Sequence, residues 1–184
     1  WAAAAAAPPA IAAPPAVAAL PGAAAARPAA AGAERDIPLL AWPRHSDWVN
    51  VKTDVVPPAR GDGVADDSAA IQAAFGAIKD GSSVYFPPGT YRITQTLNLS
   101  GRLLGVLIVG SGRASKLVWD GETGGKMLKI NGVAYSRFIG LDLEGRGKAA
   151  VGWWYDSDLL WMTEVRHQHL AFRGFTSAGM LDDP

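Results

Sequence analysis

Four groupings of side chains in this 184-residue chain have the types and spacing to do chemistry. Asp142 and Glu144 alternate in LDLE, so on a strand they share a face, turned outward if Leu141 and Leu143 point inward. Paired carboxylates can act as acid and base on a glycosidic bond or hold Ca²⁺. Residue type alone favours a solvated polar strand face. Asp156 and Asp158 in YDSD repeat the pattern where a loop should leave a strand, and they read the same way. His167 and His169 in HQH would share a strand face and could ligate a metal, but no third ligand is identifiable, so no metal is expected. The fourth grouping is aromatic: Trp153, Trp154, Tyr155 and Trp161. Alternation buries one of Trp153 and Trp154 and exposes the other. An exposed indole stacks on the apolar C–H face of a sugar ring. The same cluster would also close a core under a loop, or dock against a neighbouring protomer.

Composition limits what else the chain can be. Lys+Arg and Asp+Glu balance at 17 each, which removes the basic excess a phosphate-neutralising nucleic-acid binder needs. With no Cys there is no disulfide scaffold, thiolate zinc site, iron–sulfur cluster or cysteine nucleophile. No run of 18 strongly apolar residues is present, so no membrane span is expected. The first 33 residues hold 20 Ala and 6 Pro, with Arg27 as their one charge. Each interior Pro costs a helix about 3 kcal/mol, and Ala offers little surface to bury. A mobile, partly polyproline-like tail over 1–33 is the expectation, read as the end of a secretory signal peptide and a linker, the alternative being a spacer with no address. Residues 34–53 then form a lead-in. The first residue, Trp1, is not Met, so a fragment or processed product is expected.

The elements that must position these groups begin with one helix. In GDGVADDSAAIQAAFGAIKDG, Gly61 and Gly63 allow a tight turn, and Asp66, Asp67 and Ser68 supply capping oxygens. Ile71, Ala74, Phe75 and Ile78 recur at helical spacing, and Lys79-Asp80-Gly81 ends the helix. GDG is not a phosphate loop, because no Lys-Ser/Thr follows and no strand leads into it. The period then changes to short strands: 84–86, 91–94, 96–99, 105–109, 116–119, 127–130, 138–143, 151–155 and 165–172. Many short strands without further helices mean an all-β architecture: sandwich, barrel or solenoid. A loose repeat aligning Leu107, Leu141 and Leu170, at spacings of 34 and 29 residues, favours a solenoid with loops of variable length.

The stretch DVVPPARGDGVADDSAAIQAAF…GSSVYFPPGTYRI resembles the opening of pectate lyase superfamily proteins, and the similarity spans roughly residues 50–177. The resemblance implies a right-handed parallel β-helix over 54–184, its N-terminal end capped by the helix and its C-terminal part truncated. It implies an exported protein, secreted, periplasmic or on the cell surface, whose partner is a polysaccharide and whose whole form is a glycoside hydrolase or polysaccharide lyase. No resident cofactor is implied, and Ca²⁺ enters only for a lyase. The family's Asn-x-Asp followed by an Asp pair and its Gly-His-Gly do not occur in this sequence, so no catalytic residue is carried over and the catalytic rungs are expected beyond Pro184. The alternative is a non-catalytic, tailspike-like adhesion β-helix, homotrimeric in that case. A last rung near 165–172 with its stacking surface uncovered should aggregate or order only in part.

Overall fold

A computed structural model describes residues 47–156, 158–159 and 163–183. The tail, most of the lead-in and Trp161 lie outside the described residues. The chain runs through β1 (Trp48–Asn50), β2 (Asp62–Asp66), α1 (Ser68–Ala77), β3 (Ser83–Phe86), β4 (Gly89–Ile93), β5 (Leu97–Leu104) and β6 (Leu107–Gly110). It continues through β7 (Ser115–Trp119), β8 (Lys126–Ala134), β9 (Arg137–Ile139), β10 (Asp142–Glu144), β11 (Val151–Asp156), β12 (Arg166–Gln168), β13 (Ala171–Arg173) and β14 (Ala178–Asp183). From β3 onward, successive strands visit three sheets in turn. Sheet A is β1-β3-β6-β9-β12, sheet B is β2-β4-β7-β10-β13 and sheet C is β5-β8-β11-β14. Every pairing is parallel, as coils of one solenoid stacked on each other require. The described residues form a parallel β-helix with α1 at its N-terminal end.

Period-2 alternation makes the core. Tyr91, Leu117, Leu143 and Phe172 form one ladder from sheet B, and Leu97, Leu128 and Trp153 form another from sheet C, continued on the last rung by the exposed Met180. Sheet A contributes Val84, Ile108 and Phe138; His167, next in register on the last rung, is exposed. Trp153 sits at the centre of the later rungs, edge-on to Phe138 at 4.7 Å and to Phe172 at 6.1 Å. The Leu107–Leu141–Leu170 alignment needs correction. Leu141 and Leu170 do occupy equivalent places just before sheet B strands, but Leu107 lies on sheet A opposite Arg137. The residue equivalent to Leu141 one rung earlier is Ser115, because Lys116 pairs with Asp142.

Two of the expected strands are each two strands. The 138–143 run breaks at Gly140 (φ 68°) into β9 and β10, and 165–172 breaks at His169 (φ 53°) into β12 and β13. Both residues adopt the left-handed conformation that turns the chain from sheet A to sheet B. His169 therefore does not share a strand face with His167, and the His-x-His reading is corrected. Among the described residues no group of three metal-ligating side chains is present.

The N-terminal end is closed. β1 and β2 finish sheets A and B, and α1 covers sheet C. Ile71, Ala74 and Phe75 of the helix are buried, with Phe75 edge-on to Phe86 at 6.4 Å. The Gln72 amide continues the ladder that β5 lacks, donating to the Asn98 carbonyl at 2.9 Å and accepting from the Asn98 N–H at 2.8 Å. The capping expectation is corrected in detail. Asp67 stands at the N-cap position, yet its side chain makes no cap bond; it is buried and accepts from the Arg60 and Gly61 N–H groups at 2.7 and 3.1 Å. Asp66 instead accepts from the Ser68 N–H and hydroxyl, and the Ser68 oxygen accepts from the Thr94 N–H. The Asp-Asp-Ser run thus ties the preceding turn, the helix start and β4 together.

Candidate functional site

β11 is the middle strand of the later half of sheet C, and its alternation sorts the aromatic cluster. Trp153 is fully enclosed and Tyr155 is 5% exposed, so both are core residues rather than platform residues. The Tyr155 hydroxyl makes a short hydrogen bond with His167 Nε2; burial pushes the phenol pKa up, and desolvation of the ring pushes the imidazole pKa down. Trp154 turns the other way and stands half-buried on the outer face, in a ladder of Asn98, Lys129, Trp154 and Leu181.

Two lysines of β8 converge on that indole. Lys126 Nζ lies 3.0 Å from the ring centroid and Lys129 Nζ lies 4.6 Å away. Lys129 is also ion-paired to Asp156 at 2.6 Å, and this contact holds the Asp156 carboxyl below the usual carboxylate range. Asp158, an exposed residue, donates its N–H to Asp156 Oδ1 at 3.4 Å. Asn131, in register with Asp156, anchors the loop beyond by accepting from the Leu159 N–H at 3.0 Å. The result is an outward patch with one aromatic plane, two ammonium groups and one paired carboxylate. It can offer a flat apolar surface and positive charge, but Asp156 is committed and is no free base.

The other carboxylate pair lies on sheet B. Asp142 and Glu144 do alternate outward from Leu143, but the solvated reading is corrected, because Asp142 is 1% exposed. Arg173, opposite Glu144 in the next rung, lies across it: Nη2 is 2.5 Å from Asp142 Oδ2 and Nε is 3.7 Å from Glu144 Oε2. Asp142 Oδ1 has no hydrogen-bond partner among the described residues. This arrangement clasps two rungs and does not present an acid and a base to one bond. Lys126, Lys129 and Arg173 were missing from the sequence reading. Each lies some 25 to 31 positions from its partner, so only the strand register brings them together. Two lysines in KMLKI were the available signal.

Residues 48–133 match the family model "Rhamnogalacturonase A/epimerase, pectate lyase-like". Two mannuronan C5-epimerases of Azotobacter vinelandii, AlgE5 and AlgE2, are each 38% identical over 96 residues, covering 46% of this chain and 10% of the relative. The chain therefore spans about a tenth of the length of the curated relatives it matches. The solved structure of ORF18 from Geobacillus virus E2 superposes with a TM-score of 0.59 at 22% identity, covering 71% of this chain and 26% of that one, a likeness of fold. The matched segment holds the capping helix, the entry strands and both lysines, while Trp154 and Asp156 stand beyond it. Three parallel sheets, a helical cap and these matches together support a pectate lyase-like β-helix superfamily for this chain.

Proposed function

We propose that this chain is part of an exported protein that engages polysaccharide, and that the polymer lies on the outer face of sheet C. One observation carries the reading: Trp154 stands partly exposed in an outward ladder that runs across the four strands of that sheet. A linear polymer lying across the strands meets one side chain per rung, and an indole plane matches the apolar face of a pyranose. The lysines beside it suit a polymer bearing carboxylates, and mannuronan, after which the Azotobacter relatives are named, is one. The Ala/Pro-rich start supports export.

Reaction type belongs to the whole protein. Asp142, Glu144 and Asp156 all sit in ion pairs, which favours binding in these rungs, with the bond-making groups of a hydrolase, lyase or epimerase elsewhere in the protein. Ca²⁺ enters only if the chemistry is a lyase's. The same committed carboxylates favour, as a second reading, a binding-only β-helix of tailspike type, in which case a homotrimer is expected. Affinity electrophoresis in gels containing alginate, polygalacturonate or a neutral glucan tests the binding face. Retardation by at least one polymer should weaken roughly two- to tenfold in Trp154→Ala. Equal retardation of the variant and the parent overturns the reading.

A further inference from the structure

The two lysines on Trp154 are not equivalent. Lys129 is tethered, since its ammonium is ion-paired to Asp156 at 2.6 Å and reaches the indole only at 4.6 Å. Lys126 sits 3.0 Å from the ring centroid, and among the described residues it has no carboxylate partner. Among the described residues the indole face is therefore the one specific contact that holds the Lys126 head group. Both side chains are only partly buried, so the ammonium has room to leave.

A pyranose that stacks on Trp154 must take the place of that ammonium. Its gain from stacking is then set against a lost cation–π contact. What happens to the displaced cation depends on the sugar. A neutral ring returns it to water with no new partner. A ring bearing a carboxylate receives it in a charge-assisted hydrogen bond, which is about twice as strong as a neutral one. The lysine stem is long and unbranched, so a modest swing moves the head group from the ring to its edge while the stem stays on the apolar surface.

We propose that Lys126 is a selectivity gate on Trp154: it covers the indole in the free protein, admits sugars whose anionic group draws it aside, and holds neutral sugars off. This rests on the reading of sheet C as the polysaccharide face and adds to it the residue that discriminates. Asp156 has a supporting part, because by holding Lys129 it leaves Lys126 as the movable one of the two.

Calorimetric titration of the full chain with a mannuronate hexasaccharide and with cellohexaose, for the parent, Lys126→Ala, Lys126→Met and Trp154→Ala, tests the gate. Lys126→Met keeps the stem and serves if the alanine variant folds poorly. Removing the ammonium should tighten cellohexaose about three- to thirtyfold and weaken the mannuronate oligomer by a similar factor, so the acidic-to-neutral preference collapses. An unchanged preference in both Lys126 variants, with binding lost in Trp154→Ala, overturns the gate and leaves the binding face standing. Unchanged binding in Trp154→Ala, or no binding of either sugar by the parent, overturns the face and the gate together.

Discussion

At the scale of single residues, burial decides what each charge can do. Asp142 is a carboxylate with almost no contact to water, paired with a guanidinium that belongs to the next rung. Removing that partner strands a buried charge, whereas removing both charges does not. Arg173→Ala should cost about 3 kcal/mol in urea unfolding, the low end for a buried pair because Arg173 itself stays 39% exposed. Asp142→Leu with Arg173→Leu should recover most of the loss, and a double variant no better than the single one would contradict the clasp. The pair Asp142/Glu144 was visible in the sequence from its two-residue spacing. Its role was not, because the partner Arg173 lies about thirty positions on and residue type carries no register. His167 couples the fold to pH. Desolvation of its ring lowers its pKa below the unfolded value near 6.5, so the unfolded chain takes up the proton first. The stability this neutral imidazole supports is complete above about pH 6.5 and falls as the pH drops below it. His167→Phe should flatten the dependence of the melting temperature between pH 7 and 5, and an unaltered slope would remove His167 as its source.

At the scale of elements, the helix was the part most legible in the chain. Ile71, Ala74 and Phe75 at helical spacing after Asp-Asp-Ser give the element, its start and its buried stripe, while its end at Ala77 falls short of Lys79-Asp80-Gly81 and leaves Ile78 extended. What spacing could not reveal is that Gln72, on the polar side, substitutes for a missing strand by pairing both ways with Asn98. Gln72→Ala removes both bonds from an exposed edge and should cost about 1–2 kcal/mol, read by thermal unfolding. It should also speed hydrogen exchange at the Asn98 amide, and an Asn98 amide that stays equally protected would contradict the edge-covering role. The strands were legible as short alternating runs but not as pairs of strands. Nothing in hydropathy distinguishes a run that continues from one that turns at a left-handed residue, and at position 169 the turn residue is His rather than Gly.

At the scale of the molecule, each rung is stabilised by the one beneath it and protected by the one above. β12, β13 and β14 have a strand partner on one side only among the described residues, and their side chains are more exposed than those of β8 to β11. Local opening should therefore be graded along the stack, with slow amide exchange in β7 and β8 and fast exchange in β12 and β13. Uniform exchange across all rungs would contradict a solenoid stabilised by nearest neighbours. The three-sheet stack also explains the binding face. It sets Asn98, Lys129, Trp154 and Leu181 in one row although they are far apart in the chain. Hydroxyl-radical footprinting at tryptophan tests this account most directly, because Trp153 and Trp154 are adjacent in sequence and face opposite sides. Trp154 should oxidise in the free protein and be shielded when alginate is added, while Trp153 stays silent in both. Shielding elsewhere with Trp154 unchanged would contradict the assignment of sheet C as the polysaccharide face.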